Sequence, residues 1–494
     1  MLNFSAHLSD LIWSLRIEFG LILIIFTLLI ISTFDKVTPY YFSLAFIVAI
    51  ATLLAGSFFG SQPSVVYGIF LDYNGAVSLK QLVLILFFFL GILNHFVIQS
   101  DKGILLLLLF SLLSIFILIS SLDLFLLFLA IELLALSSCC LIAFPKTGTS
   151  LEASLKYFAV GVIGSTFLLF SVFVFYYLYE STFYYTCKES ISTHMYAFKT
   201  SISIFTLFFC CAFFLKLGLA PFHYWVADVY EGAPALITVF LAVIVKFVIF
   251  VVLVQVACSP YTNISFNTYQ PIFILGSGLS IIIGCFGALY QDTIKRLLAY
   301  SSINNAGFGV AGLAAGNTEG ALSGICYIFF YCLAVFLIFI IILNCKLDKN
   351  TYAINYISDI KYLKANSNKF LASVMPIIFS LTLFSLAGIP PLTGFWTKFF
   401  VLSVLIEKGL YILAVVAALT SVVSSFYYIN LIKILFFEDV TPKVTAYYHS
   451  PIVIPILIFF LFLSIFAFFF FPEQIHIYFI KLILQILSPI SYLY

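Results

Sequence analysis

Four ionisable side chains stand where such groups are rare. Glu132 lies in the run LFLAIELLA, Lys216 in FFLKLG, Lys246 in VIVKFV and Lys398 in FWTKFF. A lysine surrounded by apolar residues shifts its affinity for protons readily, so it can carry a proton and release it. A carboxylate nearby favours the charged form. Glu132 and Lys216 could thus form a switch, with Lys246 and Lys398 as further stations of a proton or ion relay. The alternative is an internal ion pair that only fixes packing, or a lysine whose stem reaches to the interface. Each such charge costs ~2.5–3.5 kcal/mol at the centre of a membrane helix, together ~10–14 kcal/mol unless pairing or water offsets it. One residue would leave the two readings even; three lysines and a glutamate on four helices favour the relay.

The surroundings of these charges fix the class of protein. The chain has 494 residues, 64% hydrophobic and only 9% charged, with a mean hydropathy of +1.21. A soluble domain runs near ~25% charged, so soluble, disordered and secreted disulfide-rich classes are excluded. The balance of 22 Lys+Arg against 20 Asp+Glu excludes a basic nucleic-acid binder. Solid apolar runs, without the alternation of a β-barrel strand, predict an all-α polytopic membrane protein. The ten cysteines form no C-x-x-C set, and no predicted helix carries two of the six histidines. No metal or redox cofactor is therefore expected in this chain. Phe (60) and Tyr (30) are abundant while Met and Trp number 3 each, a bias that suits an A+T-rich organelle genome. The N-terminal segment, with Arg16 as its one arginine, is unlike an imported presequence.

A spanning helix needs about 20 mostly apolar residues. About fourteen spans are expected by that rule, near 17–34, 41–59, 80–99, 104–121, 123–143, 155–179, 202–222, 234–257, 271–290, 296–315, 320–345, 371–405 (interrupted), 409–436 and 451–471. The tail 475–494 reads as an interfacial helix because of Lys481 and Pro489. Most Lys and Arg fall in loops after odd-numbered spans, which puts those loops on the cytoplasmic or matrix side. Arg16, Lys80, Lys188, Lys199, Lys408 and Lys481 fall on the other side.

Two spans are interrupted in the same way. The seventh reads Lys216-Leu-Gly218-Leu-Ala-Pro221-Phe-His223-Tyr-Trp225, and the twelfth Gly388-Ile-Pro390-Pro391-Leu-Thr-Gly394-Phe-Trp396-Thr-Lys398. Gly218 and Gly388 are 170 positions apart, as are Pro221 and Pro391. Proline frees helix carbonyls, tolerable at depth only where the backbone is buried or faces a wet cavity. The offset relates spans four to eight to spans nine to thirteen. An odd number of helices turns the second copy upside down, which is the inverted-repeat plan of ion-coupled transporters. The expected organisation is one membrane domain, 1–494, with a three-helix segment at 1–100, five-helix repeats at 104–257 and 271–436, and a final helix and tail at 451–494. The copies differ. The lysine precedes the first break and follows the second, and helix ten has Ser301-Ser-Ile-Asn304-Asn305 instead of a counterpart to Glu132. His223 is a further relay candidate, bridging Lys216 and Lys246, or else an interfacial loop residue. Asp228 and Glu231 are expected to cap the start of helix eight, and Lys433 to pair with Glu438 or Asp439.

The segments KLGLAPFHYWVADVYEGAP (216–234), SINNAGFG (302–309) and LAGIPPLTGFWTKFF (386–400) resemble the antiporter-like membrane subunits of respiratory complex I, NADH:ubiquinone oxidoreductase. The resemblance runs in order across helices four to thirteen. The loop from Trp225 to Pro234 lacks the H-x-W-L-P-x-A-H-x-E-A-P pattern of the chain 4 and chain 5 types and looks most like the chain 2 type. Ala227 departs from a proline frequent in relatives, in a loop away from the charges. The resemblance implies that Glu132, Lys216, Lys246 and Lys398 are links in a horizontal row of protonatable groups and internal water. That row would couple quinone reduction in other subunits to proton transfer. It also implies partners among the other membrane-arm subunits and the lipid bilayer, with NADH, FMN, iron–sulfur clusters and ubiquinone held by partner chains. The expected location is the mitochondrial inner membrane, with a bacterial inner membrane as the alternative. Two other functions stay open: a subunit of a multisubunit cation/proton antiporter, and a purely structural arm subunit whose charges only pack.

Overall fold

The computed structural model describes residues 16–32, 38–58, 64–66, 70–72, 74–95, 101–184, 199–258, 263–347, 352–364, 369–439, 446–448 and 453–487. His7, Lys36, Cys187, Lys188, His194, Lys349, Lys443, His449 and Pro489 lie outside the described residues. Among the described residues the chain is helical apart from short strands and connecting turns. In order it forms α1 (Arg16–Ser32), α2 (Pro39–Phe58), β1 (Ser64–Val66), β2 (Phe70–Asp72), α3 (Asn74–Leu93), α4 (Lys102–Ser120), α5 (Leu124–Ala143), α6 (Gly148–Tyr179) and α7 (Lys199–Leu217). After the first break come α8 (Tyr224–Gly232), α9 (Ala235–Ala257), α10 (Asn263–Ala288), α11 (Ile294–Ala314) and α12 (Thr318–Asn344). Strands β3 (Cys345–Leu347) and β4 (Tyr352–Ala353) and a 3-10 turn (Ile357–Lys364) lead to α13 (Lys369–Ala387). The second break separates it from α14 (Thr393–Glu407), followed by α15 (Tyr411–Phe437), β5 (Ala446–Tyr448), α16 (Val453–Ile465), α17 (Ala467–Phe470) and α18 (Pro472–Leu487).

Local chemistry sets several helix starts. Asp123 accepts a hydrogen bond from the Phe125 amide at 2.9 Å and opens α5. Thr147 and Ser150 form a reciprocal capping box at α6, and Asn317 Oδ1 takes the Gly320 amide at 2.8 Å at α12. Each satisfies a donor that a helix start leaves without an intrahelical partner. Among the described residues, 9 helices are long and apolar enough to cross a membrane. Ile17–Ser32, Pro39–Ala55 and Ser373–Ala387 are shorter apolar helices. Exposed apolar side chains form stripes, such as Leu155, Phe173 and Tyr177 on α6 and Ile412, Leu419, Val422 and Phe426 on α15. Surfaces of that kind suit lipid or a neighbouring membrane chain. The protein is a multi-pass membrane protein.

Two compact units divide the chain. The first comprises Met1–Lys216, Val248–Ile272 and Ile480–Tyr494, the second Leu217–Phe247 and Phe273–Phe479. In the first, α4 packs on α5, α5 on α6, and α1 on α4. In the second, α12 packs against α11, α13, α14 and α16 and is buried over most of its length. A three-stranded antiparallel sheet ties β3 to β4 and β5, with Lys346 opposite both Ala353 and Tyr447.

Lys80 differs from its expected place at the edge of a span. Helix α3 begins at Asn74, so Lys80 sits almost two turns inside it, fully buried and ion-paired with the buried Glu18 of α1. Removing one member of a buried pair leaves the other charge unmatched, at a cost of about 3–5 kcal/mol, whereas neutralising both together is far milder. Lys80→Met is therefore expected to lower the thermal midpoint of the purified protein clearly, and Glu18→Gln with Lys80→Met to recover most of the loss. Equal midpoints for the single and double variants would show that the pair contributes nothing.

Candidate functional site

In the first unit, Lys216 stands one residue before the end of α7. Its Nζ donates to the Gly161 carbonyl of α6 at 3.4 Å, and Glu132 of α5 acts on it through space without an ion-pair contact. Glu132 Oε1 is buried and has no hydrogen-bond partner, while Tyr157 of α6 lies within its electrostatic reach. The acid and the lysine are thus not joined by the ion pair that a packing role would favour.

In the second unit, Lys246 follows a π-helical turn over Phe240–Val245. Such turns interrupt the regular ladder and recur at functional sites. Lys246 is 4% exposed. Its Nζ donates to Ser302 Oγ at 2.8 Å and to the Ser302 carbonyl at 3.2 Å, and Cys332 of α12 donates to the Val243 carbonyl of the preceding π-helical turn at 3.3 Å. Lys398 of α14 is equally secluded. Its Nζ donates at 3.0 Å to each of the carbonyls of Leu386 and Ala387 and lies 5.6 Å from the centre of the Phe308 ring, within cation–π range. The two carbonyls belong to the end of α13, where the break leaves them without a helical partner.

Both breaks have the same backbone. Gly218 and Gly388 adopt φ of 70° and 89°, and the Ala220–Pro221 and Pro390–Pro391 bonds are both cis. Ser280 Oγ accepts the Ala220 amide at 2.9 Å at the first break. At the second, Ser385 Oγ accepts the Gly394 amide at 3.3 Å. His223 sits just past the first break with its Nδ1 buried and without a hydrogen-bond partner, and no hydrogen bond joins it to Lys246.

Two expectations are corrected. Asp228 and Glu231 do not cap the next helix, which starts behind Pro234 with no side-chain cap. They bind Arg296 of α11 instead, at 3.4 and 3.1 Å, fastening α8 to α11 with help from Lys295 on the Ala233 carbonyl at 2.7 Å. Lys433 is exposed, and Glu438 pairs with Lys361 at 3.7 Å. Sequence reasoning also missed a hydrogen bond from Tyr327 to Asn305 Oδ1 at 2.6 Å. Asn305 belongs to a motif already singled out, but nothing marks Tyr327 among 30 tyrosines. Among the described residues, no group of three or more His, Cys, Asp or Glu is arranged to hold a metal.

Comparison with known proteins bears on this arrangement directly. Residues 121–424 match the family model for the transmembrane region of NADH:quinone oxidoreductase and Mrp antiporter subunits. The chain belongs to that family. It is 36% identical over 349 residues to NADH-ubiquinone oxidoreductase chain 2 of Marchantia polymorpha, covering 70% of this chain and 68% of the relative. It is 33% identical over 333 residues to NADH-quinone oxidoreductase subunit N of Pelagibacter ubique, covering 67% and 68%. A chain of respiratory complex I from Thermus thermophilus superimposes with a TM-score of 0.78 at 25% identity, covering 93% of this chain and 98% of that one. The resemblance read from the motifs of 216–234, 302–309 and 386–400 is borne out. The family match encloses Glu132, the three lysines and both breaks; it leaves the Glu18–Lys80 pair outside.

The close packing of the second break on Lys398 is testable through Gly388. A Cβ there would meet Lys398 Cδ at 3.0 Å and Nζ at 3.3 Å, whereas one at Gly409, also at positive φ, meets nothing within 4 Å. Gly409→Ala is expected to cost only the backbone term of ~1–2 kcal/mol. Gly388→Ala adds a displaced lysine stem, about 1–3 kcal/mol more. Thermal unfolding of the two variants in detergent checks this, and equal losses would mean that Lys398 does not need the space above Gly388.

Proposed function

We propose that the chain is a proton-translocating, non-redox membrane-arm subunit of NADH:quinone oxidoreductase, and that Glu132, Lys216, Lys246 and Lys398 carry the protons. One observation supports this above the rest. The hydrogen bonds that hold the three lysines go to neutral acceptors: the Gly161 carbonyl, the Ser302 hydroxyl and carbonyl, and the Leu386 and Ala387 carbonyls. A lysine bound in this way can lose its proton without abandoning a carboxylate in an apolar interior, which is the costly outcome for a buried pair. Lys80, locked to Glu18, has no such freedom and serves packing. Glu132 acts as the modulating charge: while ionised it favours the ammonium form of Lys216, and its neutralisation releases the proton.

The finer architecture follows the same reading. Fourteen spans form a three-helix segment at 1–100, inverted five-helix repeats at 104–257 and 271–436, and a final helix and tail at 451–494. The paired breaks at Gly218, Pro221, Gly388, Pro390 and Pro391 support this plan, because half-helix ends supply polar backbone at depth. Electrons, NADH, FMN, iron–sulfur clusters and ubiquinone belong to partner subunits. The protons and internal water belong to this chain, His223 is a secondary relay candidate, and lipid and neighbouring arm subunits cover the outer helices. The Phe and Tyr excess and the Marchantia relative favour the mitochondrial inner membrane. The family also includes Mrp antiporter subunits; exchange activity of the isolated assembly without NADH would favour that second function.

In sealed vesicles carrying the assembled complex, Lys216→Met and Glu132→Ala are each expected to lower NADH-driven proton transfer about a hundredfold or more, the scale of a lost proton-transfer group. The amount of assembled complex on native gels should be unchanged. Proton transfer at the normal ratio in both variants would remove the relay role and leave the charges to packing.

A further inference from the structure

The start of α11 grips the end of α8 through several polar contacts, all within the second unit. Arg296 donates through Nη2 to Asp228 Oδ1 at 3.4 Å and through Nη1 to Glu231 Oε2 at 3.1 Å. The Thr293 hydroxyl donates to Glu231 Oε1 at 3.4 Å, and the Lys295 ammonium to the Ala233 carbonyl at 2.7 Å. The side chains of Arg296, Asp228 and Glu231 are 36–40% exposed, and ion pairs so open to solvent add little to stability. Their effect is geometric. Ala233 and Pro234 lead straight into α9, which starts without a side-chain cap, so the clamp decides where α9 begins beside α11.

The two helices that start together at this corner carry the Lys246–Ser302 contact. Lys246 lies 11 residues beyond Ala235, and Ser302 lies 8 beyond Ile294, about 16 and 12 Å along their axes at 1.5 Å per residue. Side chains lean toward the N-terminus of their own helix, so the lysine stem reaches back and brings Nζ level with Ser302. There it donates at 2.8 Å to the hydroxyl and at 3.2 Å to the carbonyl. A slip of α9 by one residue, about 1.5 Å, is larger than the spread of normal lengths for such bonds.

We propose that Arg296 is a positioning residue for Lys246: by holding Asp228 and Glu231 together it fixes the start of α9 along α11, and so seats the Lys246 ammonium on Ser302. This rests on the reading of Lys246 as a proton station. The residue type suits the task. A guanidinium is a planar fork that serves two carboxylates at once, whereas an ammonium is a point charge on a flexible stem. Arg296 stands less than two turns before Ser302 on the same helix, so the element that carries the clamp also carries the acceptor.

Variants of the intact complex in sealed vesicles test the proposal. Arg296→Gln is expected to slow NADH-driven proton transfer about ten- to a hundredfold, the scale of a misplaced reacting group, and Arg296→Lys to restore part of the rate. A map of the Arg296→Gln complex at side-chain resolution is expected to show Lys246 Nζ beyond hydrogen-bond distance of Ser302. Combining Arg296→Gln with Ser302→Ala should cost less than the product of the two single losses, because both act through one contact. Losses that multiply, or an unmoved Lys246 in the map, would overturn the positioning role. Normal transfer in Arg296→Gln with transfer abolished in Lys246→Met would overturn it too and spare the station. Normal transfer in Lys246→Met would overturn the station and the positioning role with it. Should Arg296→Gln fail to assemble, Glu231→Gln, which leaves Asp228 on the guanidinium, takes its place with the same expected and overturning results.

Discussion

Holding an ammonium group away from water is the constraint on which this structure turns. Among the described residues Lys80, Lys246 and Lys398 are buried and Lys216 is half-buried, and two solutions serve them. Lys80 is neutralised by Glu18, which matches one charge with another and fixes both. Lys216, Lys246 and Lys398 are solvated by carbonyl and hydroxyl oxygens instead. Supplying those oxygens inside a helical membrane protein is difficult, because a regular helix uses its own carbonyls. The end of α13 at the second break offers two such carbonyls to Lys398, and Ser302 of α11 offers a hydroxyl and a carbonyl to Lys246.

The two breaks show how one backbone arrangement serves lysines on opposite sides of it. Lys216 stands two residues before Gly218, and Lys398 ten residues after Gly388. With the 170-residue offset, the counterpart of Lys216 is Leu386. The Leu386 carbonyl is one of the two that receive the Lys398 ammonium. The ammonium of the second half therefore reaches back across its break to the register position from which the lysine of the first half projects. Gly388 permits this, since a Cβ at that point would press on the Lys398 stem. The different order of lysine and break in the two sequences is thus compatible with an equivalent location of charge relative to each break.

Much of this was legible in the sequence because the signals are local. Apolar runs mark helices whatever their neighbours are, and a lysine within such a run is conspicuous by itself. Gly-x-x-Pro breaks are local too, and both appear where their residues indicate. What escaped depends on distant partners. Lys80 looked like the edge of a span because hydropathy rises only after it, yet α3 starts at Asn74, and Glu18 lies far away in sequence. Asp228 and Glu231 looked like caps because helix starts attract acids, but Arg296 offers a full charge on a packed neighbour. The pairing of β3 with β5 joins segments separated by the three helices α13, α14 and α15, and no local pattern announces it. Tyr327 is unremarkable in a chain this rich in tyrosine until its neighbours are known.

The same offset assigns Ser302 as the counterpart of Glu132. Where the first half has an acid acting on Lys216, the second has a serine that binds Lys246 directly. An acid near a lysine favours one charge state of it, whereas a hydroxyl binds the ammonium without a charge of its own and can also donate to the amine. The halves are accordingly suited to different tasks. A lysine under a nearby carboxylate responds to whatever alters that carboxylate, so it can sense an event elsewhere. Lysines held only by neutral groups respond to each other's charge and to the protons available along the polar groups between them. An acid at position 302 would tie Lys246 to a fixed counter-charge and turn a station into a second Lys80. On the proposed relay, the neutral side chains of Ser301-Ser302-Ile-Asn304-Asn305 leave Lys246 without a fixed counter-charge.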